Sequence, residues 1–271
     1  MSLQRSTMPR VSEPVFRNHL LASLPAPALG RLRPSLKRVE LPFGHVLNEP
    51  GSTVKEVVFL EKGIASLLVV LGNGDSIEVA LVGAEGVVGI PPLFEVPTSA
   101  HRVTVQGTGH GYRLDIPSLR QAMRNDDDLR RLLLQSAYRT TLEMAQNAAC
   151  NRLHEAEERL ARWLLLMDDR HHDGTLQVTH ELISLMLGTR RSTVTIASGI
   201  LARAGLIEHR RGTIRVVNRP GLEAAACECY ALMRNAGNNG DGNGKRPPDA
   251  PLPANLSSSV PDRDRFRAGR R

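Results

Sequence analysis

Gly188 is the residue that most restricts how this chain can fold. It closes the run His180-Glu181-Leu182-Ile183-Ser184-Leu185-Met186-Leu187, which reads as a short apolar helix. Thr179, in front of the run, is a good N-cap, and Glu181 sits in the first turn, where a carboxylate favours the positive end of the helix dipole. Glycine reaches the left-handed conformation that ends a helix and turns the chain tightly. A second helical pattern follows at once. Thr189 is its expected cap, Val194, Ile196 (or Ala197), Ile200 and Leu201 are its apolar side, and Gly205 ends it. Leu206–His209 and Thr213–Val217 then read as two short strands around the turn Arg210-Arg211-Gly212. Helix, glycine turn, helix and hairpin over Thr179–Asn218 is the order of a winged helix-turn-helix.

The polar residues of this segment suit double-stranded DNA. The second helix opens with Arg190, Arg191, Ser192, Thr193 and Thr195, where backbone amides and the helix dipole also favour phosphate. An arginine in the major groove can bond guanine O6 and N7 together. His209, Arg210, Arg211 and Arg215 put further charge on the hairpin, suited to phosphate contacts that position without specifying. Thr179 and Thr189, at the two helix starts, complete the polar set. The net charge of +7 has the sign that such a partner requires.

The rest of the chain divides by composition. Residues 1–14 are polar and expected to be disordered. Leu20, Leu21, Leu24 and Leu32 carry a helical pattern that Pro25 and Pro27 break. Over residues 39–115, aliphatic pieces recur between glycines: Glu56–Leu60, Ala65–Val70, Ile77–Val82, Arg102–Gln106 and Gly111–Ile116. That punctuation predicts an all-β sandwich or barrel, within a domain of residues 15–125 and with a hairpin at Leu71–Asp75. From Asp126 the pattern changes. Asp126, Asp127 and Asp128 suit a first helical turn, and no Gly or Pro interrupts the chain before Cys150. Leu133, Ala137, Thr140, Met144 and Ala148 recur at spacings of four, three, four and four, close to the 3.5-residue period of a two-helix seam. Residues 126–150 are thus expected to form a dimerisation helix, the alternative being a helix packed on its own domain. A second helix is expected over Arg152–Arg170, within a DNA-binding domain of residues 151–230. Residues 231–271, rich in Gly, Asn, Pro and Ser, are expected to be a disordered tail.

Several classes of function are disfavoured. No run of about 18 apolar residues suggests a membrane span, and the N-terminus lacks a secretory apolar segment, so a cytoplasmic location is expected. Cys150, Cys227 and Cys229 form no disulfide framework, and Cys227-Glu228-Cys229 supplies only half of a typical metal site, so no metal is expected. No nucleophile elbow or phosphate loop occurs, and no enzymatic activity is expected.

Two groups of motifs resemble the Crp/Fnr family of bacterial transcription regulators. One is Thr179–Val194 followed by Leu206-Ile207. The other is Pro42-Phe43-Gly44, Pro50-Gly51, Val58-Phe59-Leu60 and Lys62-Gly63. The resemblance spans about residues 18–230. It implies an α+β architecture: an N-terminal β-roll of jelly-roll type that senses a signal, a long dimerisation helix and a C-terminal winged helix. It further implies a homodimer on a palindromic operator, with RNA polymerase as a partner. Cyclic-AMP-binding members hold the ribose with a Glu and the phosphate with an Arg-Ser pair. Here Gly89–Phe94 lacks the Glu, and Ala100-His101 stands where Arg-Ser should be, which argues against cyclic AMP. Glu85, Gly86, Gly89, His101 and Arg102 remain as an expected effector pocket for a small anionic ligand. A constitutive regulator whose β-roll binds nothing is the alternative. Residues 1–40 lack the cysteines of the family's iron–sulfur sensors, and His45, His101 and His110 are weak haem-ligand candidates. In the recognition helix, Arg191 keeps the first residue of the family's Arg-Glu-x-x-x-Arg pattern. Ser192 replaces the Glu and Ile196 the second Arg, so the DNA contacts include Ile196 and the operator should differ.

Overall fold

The computed structural model describes residues 16–171 and 175–238. The disorder expected for residues 1–14 and for the far tail lies outside the described residues. Two short helices come first, α1 (His19–Ala22) and α2 (Ala26–Leu32), divided at Pro25. Asn18, fully buried, explains why the first of them forms where it does. Its Oδ1 accepts from the Leu21 amide at 3.2 Å, while its Nδ2 donates to the carbonyls of Leu60 and Gly86 at 2.9 and 2.8 Å. One side chain caps a helix and fastens it to the sheet beneath.

That sheet is antiparallel. It holds β1 (Lys37–Leu41), β2 (Val46–Asn48), β3 (Glu56–Val70), β4 (Ser76–Val82), β5 (Val87–Val88) and β6 (Arg102–Asp115). The spatial order is β1-β6-β3-β4, with β2 added to β6 and β5 to β3. The pieces expected as separate strands are joined: Glu56–Leu60 and Ala65–Val70 belong to one strand of 15 residues, and Arg102–Gln106 and Gly111–Asp115 to one of 14. The glycines between them bend the strands and do not end them. Gly63 has φ +101 where the register shifts, and a Cβ on Gly109 would collide with the Lys62 carbonyl. Two long strands can therefore cross closely and coil into a roll.

Helices α3 (Ile116–Asn125) and α4 (Asp127–Leu153) follow, capped by Asp115 and Asp126, whose carboxylates accept from Ser118 and Leu129 amides. The reading of Asp126–Asp128 as a helix start holds; α3 was not expected. The C-terminal region contains α5 (Ala156–His171), β7 (Thr175–Gln177), α6 (His180–Leu187), α7 (Arg191–Arg203), β8 (Ile207–Arg210), β9 (Thr213–Val216), α8 (Arg219–Ala225) and α9 (Cys229–Asn238). Helix α9 corrects the expected start of the tail at residue 231. Tyr230 and Met233 are buried against the helical core and order the chain through residue 238. Among the described residues, no helix is long and apolar enough to cross a membrane.

The winged-helix region shares a core with the roll. Ile64, Leu68 and Leu81 of the sheet cluster with Trp163, Leu164, Met186 and Leu201. Polar contacts lie inside this junction. Trp163 Nε1 donates to Glu78 Oε1 at 2.8 Å, and Ser66 Oγ donates to Glu78 Oε2 at 2.6 Å. Arg170 Nε lies 2.7 Å from Glu85 Oε1, and its Nη2 lies 3.5 Å from Glu143 Oε2.

Burial pushes the Glu78 carboxyl up to about 7, against the hydrogen bonds from Ser66 and Trp163 that favour its charged form. In the unfolded chain it ionises near its ordinary value of 4.5. Between those two values only the folded state keeps the proton, so raising the pH favours unfolding. The stability present below about 4.5 falls by roughly 3 kcal/mol by pH 8. Urea unfolding of the wild type and of Glu78→Gln at pH 5 and pH 8 should show this loss in the wild type and not in the variant. Identical pH dependence in both would refute the assignment.

Candidate nucleic-acid interface

Local chemistry sets out the helix-turn-helix as the sequence suggests. Thr179 Oγ1 accepts from the Leu182 amide at 3.2 Å and caps α6. Gly188, at φ +57, ends it, and a Cβ there would strike Ile77 of the roll. Thr189 does not cap the next helix. Its amide closes the end of α6 by donating to Ser184 O at 3.0 Å, so the N-cap place passes to Arg190, which makes no side-chain cap bond. Helix α7 buries Val194, Ala197, Ser198 and Leu201, while Ile196 is 65% exposed. Arg190, Arg191, Ser192 and Thr195 share its exposed side with Ile196, and Thr193 is half-buried.

The wing is a three-stranded sheet in the order β7-β9-β8, pinned by buried Ile207 and Ile214. Strand β7 was not expected. Gly212, at φ +75, makes the tip, and His209, Arg210, Arg211 and Arg215 are exposed along it. Arg190, Arg191 and Arg211 form no ion pair among the described residues. Arg215 Nη2 lies 2.8 Å from Glu208 Oε2, and Arg210 Nη2 lies 3.9 Å from the same atom. Glu208 thus withholds part of the wing's charge from any polyanion.

Sequence reasoning missed His180 as part of this surface. Its ring stacks on His209 at 4.6 Å between centroids, and its Nδ1 lies 3.1 Å from Thr195 Oγ1, whose hydroxyl also bonds the Arg191 carbonyl at 3.0 Å. The imidazole joins the start of α6, the exposed side of α7 and the wing. Burial, then electrostatic repulsion from His209 and Arg191, lowers its affinity for a proton. No sequence pattern links residues 180, 195 and 209, because the contact forms only when the wing folds over the helix.

The expected effector set does not come together. Gly89 and His101 line a cavity of about 250 Å³ between the roll and α4, with Leu67, Val82, Val88 and Met144. Burial lowers the affinity of His101 for a proton. Glu85 and Gly86 line a different cavity beside Arg139 and Arg170, where Glu85 is engaged by Arg170. Arg102 lines neither and lies 2.9 Å from Glu49. With Arg102 turned outward, no Lys or Arg among the described residues lines the 250 Å³ cavity.

The expected seam is corrected as well. Leu133, Ala137 and Thr140 are buried against the roll in the single chain, and Met144 is half-buried there; of the five only Ala148 is exposed. The 3.5-residue pattern was that of a helix packed on its own domain. A second apolar stripe lies elsewhere on α4, at Leu134, Tyr138, Leu142, Ala145, Ala149 and Leu153, with spacings of four, four, three, four and four. Four of its members are large and exposed: Leu134, Tyr138 at 63%, Leu142 and Leu153 at 73%.

Residues 158–225 match the Crp-like helix-turn-helix domain family, so the chain carries such a domain. Solved structures with the same fold include FixK2 from Bradyrhizobium japonicum. It is 19% identical, with a TM-score of 0.62 over 71% of this chain and 98% of that one. A Crp/Fnr-family transcriptional regulator from Thermus thermophilus is 23% identical, with a TM-score of 0.59 over 70% and 98%. The c-di-GMP responsive global regulator CLP of Xanthomonas campestris is 16% identical, with a TM-score of 0.59 over 71% and 99%. The family resemblance and the α+β fold seen in the sequence therefore hold. No curated protein sequence matches the chain.

Removing the carboxylate that competes for the wing should strengthen binding to any duplex. Glu208→Gln is expected to raise affinity on matched and scrambled DNA alike, and to steepen the salt dependence by up to about 0.9 in the log–log slope. Fluorescence anisotropy over a salt series checks this; weaker binding in the variant would contradict it.

Proposed function

We propose that this chain, with its Crp-like helix-turn-helix domain, is a Crp/Fnr-type transcription regulator that binds a palindromic operator as a homodimer. The observation that carries the reading is the exposed side of α7. There Arg190, Arg191, Ser192, Thr195 and Ile196 stand clear of the core beside a cationic wing. Arg191 is the guanine reader, by a bidentate bond in the major groove. Ile196 is the thymine reader: a largely exposed isoleucine on a DNA-facing helix gains most from contact with a thymine methyl. Arg190, Arg210, Arg211 and Arg215 hold phosphates and set the register. Thr179, at a helix start, adds an amide-rich phosphate contact. The residues support binding, not chemistry, and the chain acts as a non-enzyme in the cytoplasm, delivering its effect through RNA polymerase.

The dimer forms through the second stripe of α4. Its apolar residues repeat with coiled-coil spacing, and burying them against a second copy removes them from water. The β-roll cavity takes a small and largely apolar ligand. A phosphate there would be desolvated without an arginine to compensate it, so the c-di-GMP response of the Xanthomonas protein is not carried over.

Selection of bound duplexes from a random pool tests the reading directly, and should return an inverted repeat with half-sites one helical turn apart. On that operator, Arg191→Ala should cost about 1–3 kcal/mol and relax one base position. Ile196→Ala should lose affinity comparable to that lost by the wild type when deoxyuridine replaces the contacted thymidine. Equal losses on scrambled DNA would remove both residues as base readers. The pair Tyr138→Asp and Leu142→Asp should give a folded monomer by sedimentation, with operator affinity reduced at least tenfold. A dimer of unchanged stability would eliminate this stripe as the interface.

A further inference from the structure

Away from the DNA-facing side and the roll cavity, Cys150, His154, Cys227 and Cys229 each bring one ligand atom within 4.8 Å of the others. Cys150 and His154 are one turn apart at the end of α4, and His154 is the residue that ends that helix. Cys227 and Cys229 flank Glu228 at the start of α9. The three sulfurs are buried. We propose that these four side chains form a Cys3His site for a single tetrahedral, thiophilic divalent cation, zinc(II) by its chemistry, which clamps the α4–α5 hinge to α9.

The geometry selects this class of ligand. Cys150 Sγ lies 3.5 Å from Cys227 Sγ, and Cys229 Sγ lies 3.6 Å from His154 Nδ1. A zinc ion about 2.3 Å from sulfur and about 2.0 Å from nitrogen spaces tetrahedral ligands roughly 3.5–3.8 Å apart. Two edges of the tetrahedron therefore stand near the bonding distance, and the rest need to contract by about 1.3 Å at most. An iron–sulfur cluster attaches its cysteines to different irons and needs a wider spread of sulfurs.

The surroundings fit a bound ion. His154 turns Nδ1 toward Cys229 and places Nε2 3.1 Å from a Glu228 carboxylate oxygen, the carboxylate–histidine arrangement that orients a metal-bound imidazole. Gln146 Nε2 donates to Cys229 Sγ at 3.0 Å, as a thiolate accepts. Three thiolates, a neutral histidine and a divalent ion sum to one negative charge. Arg159 and Arg162, only 9% and 3% exposed, lie within electrostatic reach of Cys150 and form no ion pair with a carboxylate among the described residues, and Arg162 also acts at longer range on Glu78 and Glu143. They supply the compensating charge that a buried anionic site requires. All four coordination positions are filled by protein, so the site is structural and not catalytic. On loading, the three thiols release their protons to solvent. The clamp fixes the angle at which the long helix enters the winged-helix region.

The sequence signal is a C-x-x-x-H in one helix and a C-x-C far downstream. Neither pair is complete alone, which is why Cys227-Glu228-Cys229 reads as half of a site.

Full-length protein purified under reducing conditions should carry about one zinc per chain by mass spectrometry. Stripped with a chelator and refilled with cobalt(II), it should show intense tetrahedral visible bands and a thiolate charge-transfer band in the near ultraviolet. Zinc should raise the melting temperature of the stripped protein. Cys229→Ser should abolish stoichiometric binding. Glu228→Gln, a surface change that leaves the fold intact, should weaken zinc affinity by about 10- to 100-fold in competition with a chromophoric chelator. The proposal is overturned if reduced, folded protein takes up no zinc, if cobalt gives only a weak octahedral spectrum, or if both variants bind zinc as the wild type does. It is also overturned if protein purified under reducing conditions still holds a Cys150–Cys227 disulfide in place of metal.

Discussion

Glu78 accepts hydrogen bonds from Trp163 of α5 and Ser66 of β3 at the centre of the junction between sheet and winged helix. A buried carboxyl is costly unless its oxygens are engaged, so the two donors must be present for the junction to close. Because Trp163 is almost fully buried, its indole N–H in turn requires this acceptor. Arg170 repeats the logic nearby: one guanidinium meets Glu85 after β4 and Glu143 on α4. These contacts, with Ile77 against Gly188, fix α5 and α6 on the sheet, and α7 and the wing take their orientation from them. Removing one member of the Arg170 set leaves a buried charge without its partner, and removing a donor to Glu78 leaves a buried carboxyl oxygen unsatisfied, so each loss weakens the junction as a whole.

Helix α4 is where the remaining relations meet. One side supplies Leu129 and Leu133 to the roll core, and Thr140, Thr141 and Met144 line the apolar cavity on the same side. Another side carries the exposed apolar stripe, and the end carries Cys150 and His154. In the proposed dimer a ligand filling the cavity would press on the helix from one flank, a second copy would pack on the other, and a metal would hold its end. A rigid helix passes displacement between these places without needing any separate pathway.

What was legible in the sequence follows from the range of each interaction. The cap at Thr179, the turns at Gly188 and Gly212 and the helix start at Asp126 depend on neighbours a few residues away, and they stand where the residues put them. The roll was legible as a class, but its strand lengths were not. A glycine that ends a strand and one that lets two strands cross look the same until the crossing partner is known, as Gly109 and Lys62 illustrate. On α4 the apolar period identified a packed face, but periodicity does not say what the face packs against. Glu85 and Arg102 were near the right elements, yet each found a partner of opposite charge, at Arg170 and Glu49, that no local rule reveals. The cysteine–histidine cluster was hidden for the same reason, since its halves are joined only by the return of α9 to the end of α4.

The composition of α7 carries a consequence for specificity. A recognition surface with two charged readers draws most of its discrimination from hydrogen bonds, which a wrong base leaves unpaired in a desolvated groove. With Ser192 and Ile196 in place of charged side chains, the surface proposed here keeps one such reader, Arg191, and adds an apolar one. Apolar contact with a methyl group discriminates more weakly, while arginines on the wing supply affinity that is blind to sequence. Glu208 tempers that blind component by engaging Arg215. A carboxylate that never touches a base therefore tunes the overall affinity and its salt dependence and leaves the ratio of specific to general binding to the base-facing side of α7, because a phosphate contact strengthens matched and scrambled duplexes alike.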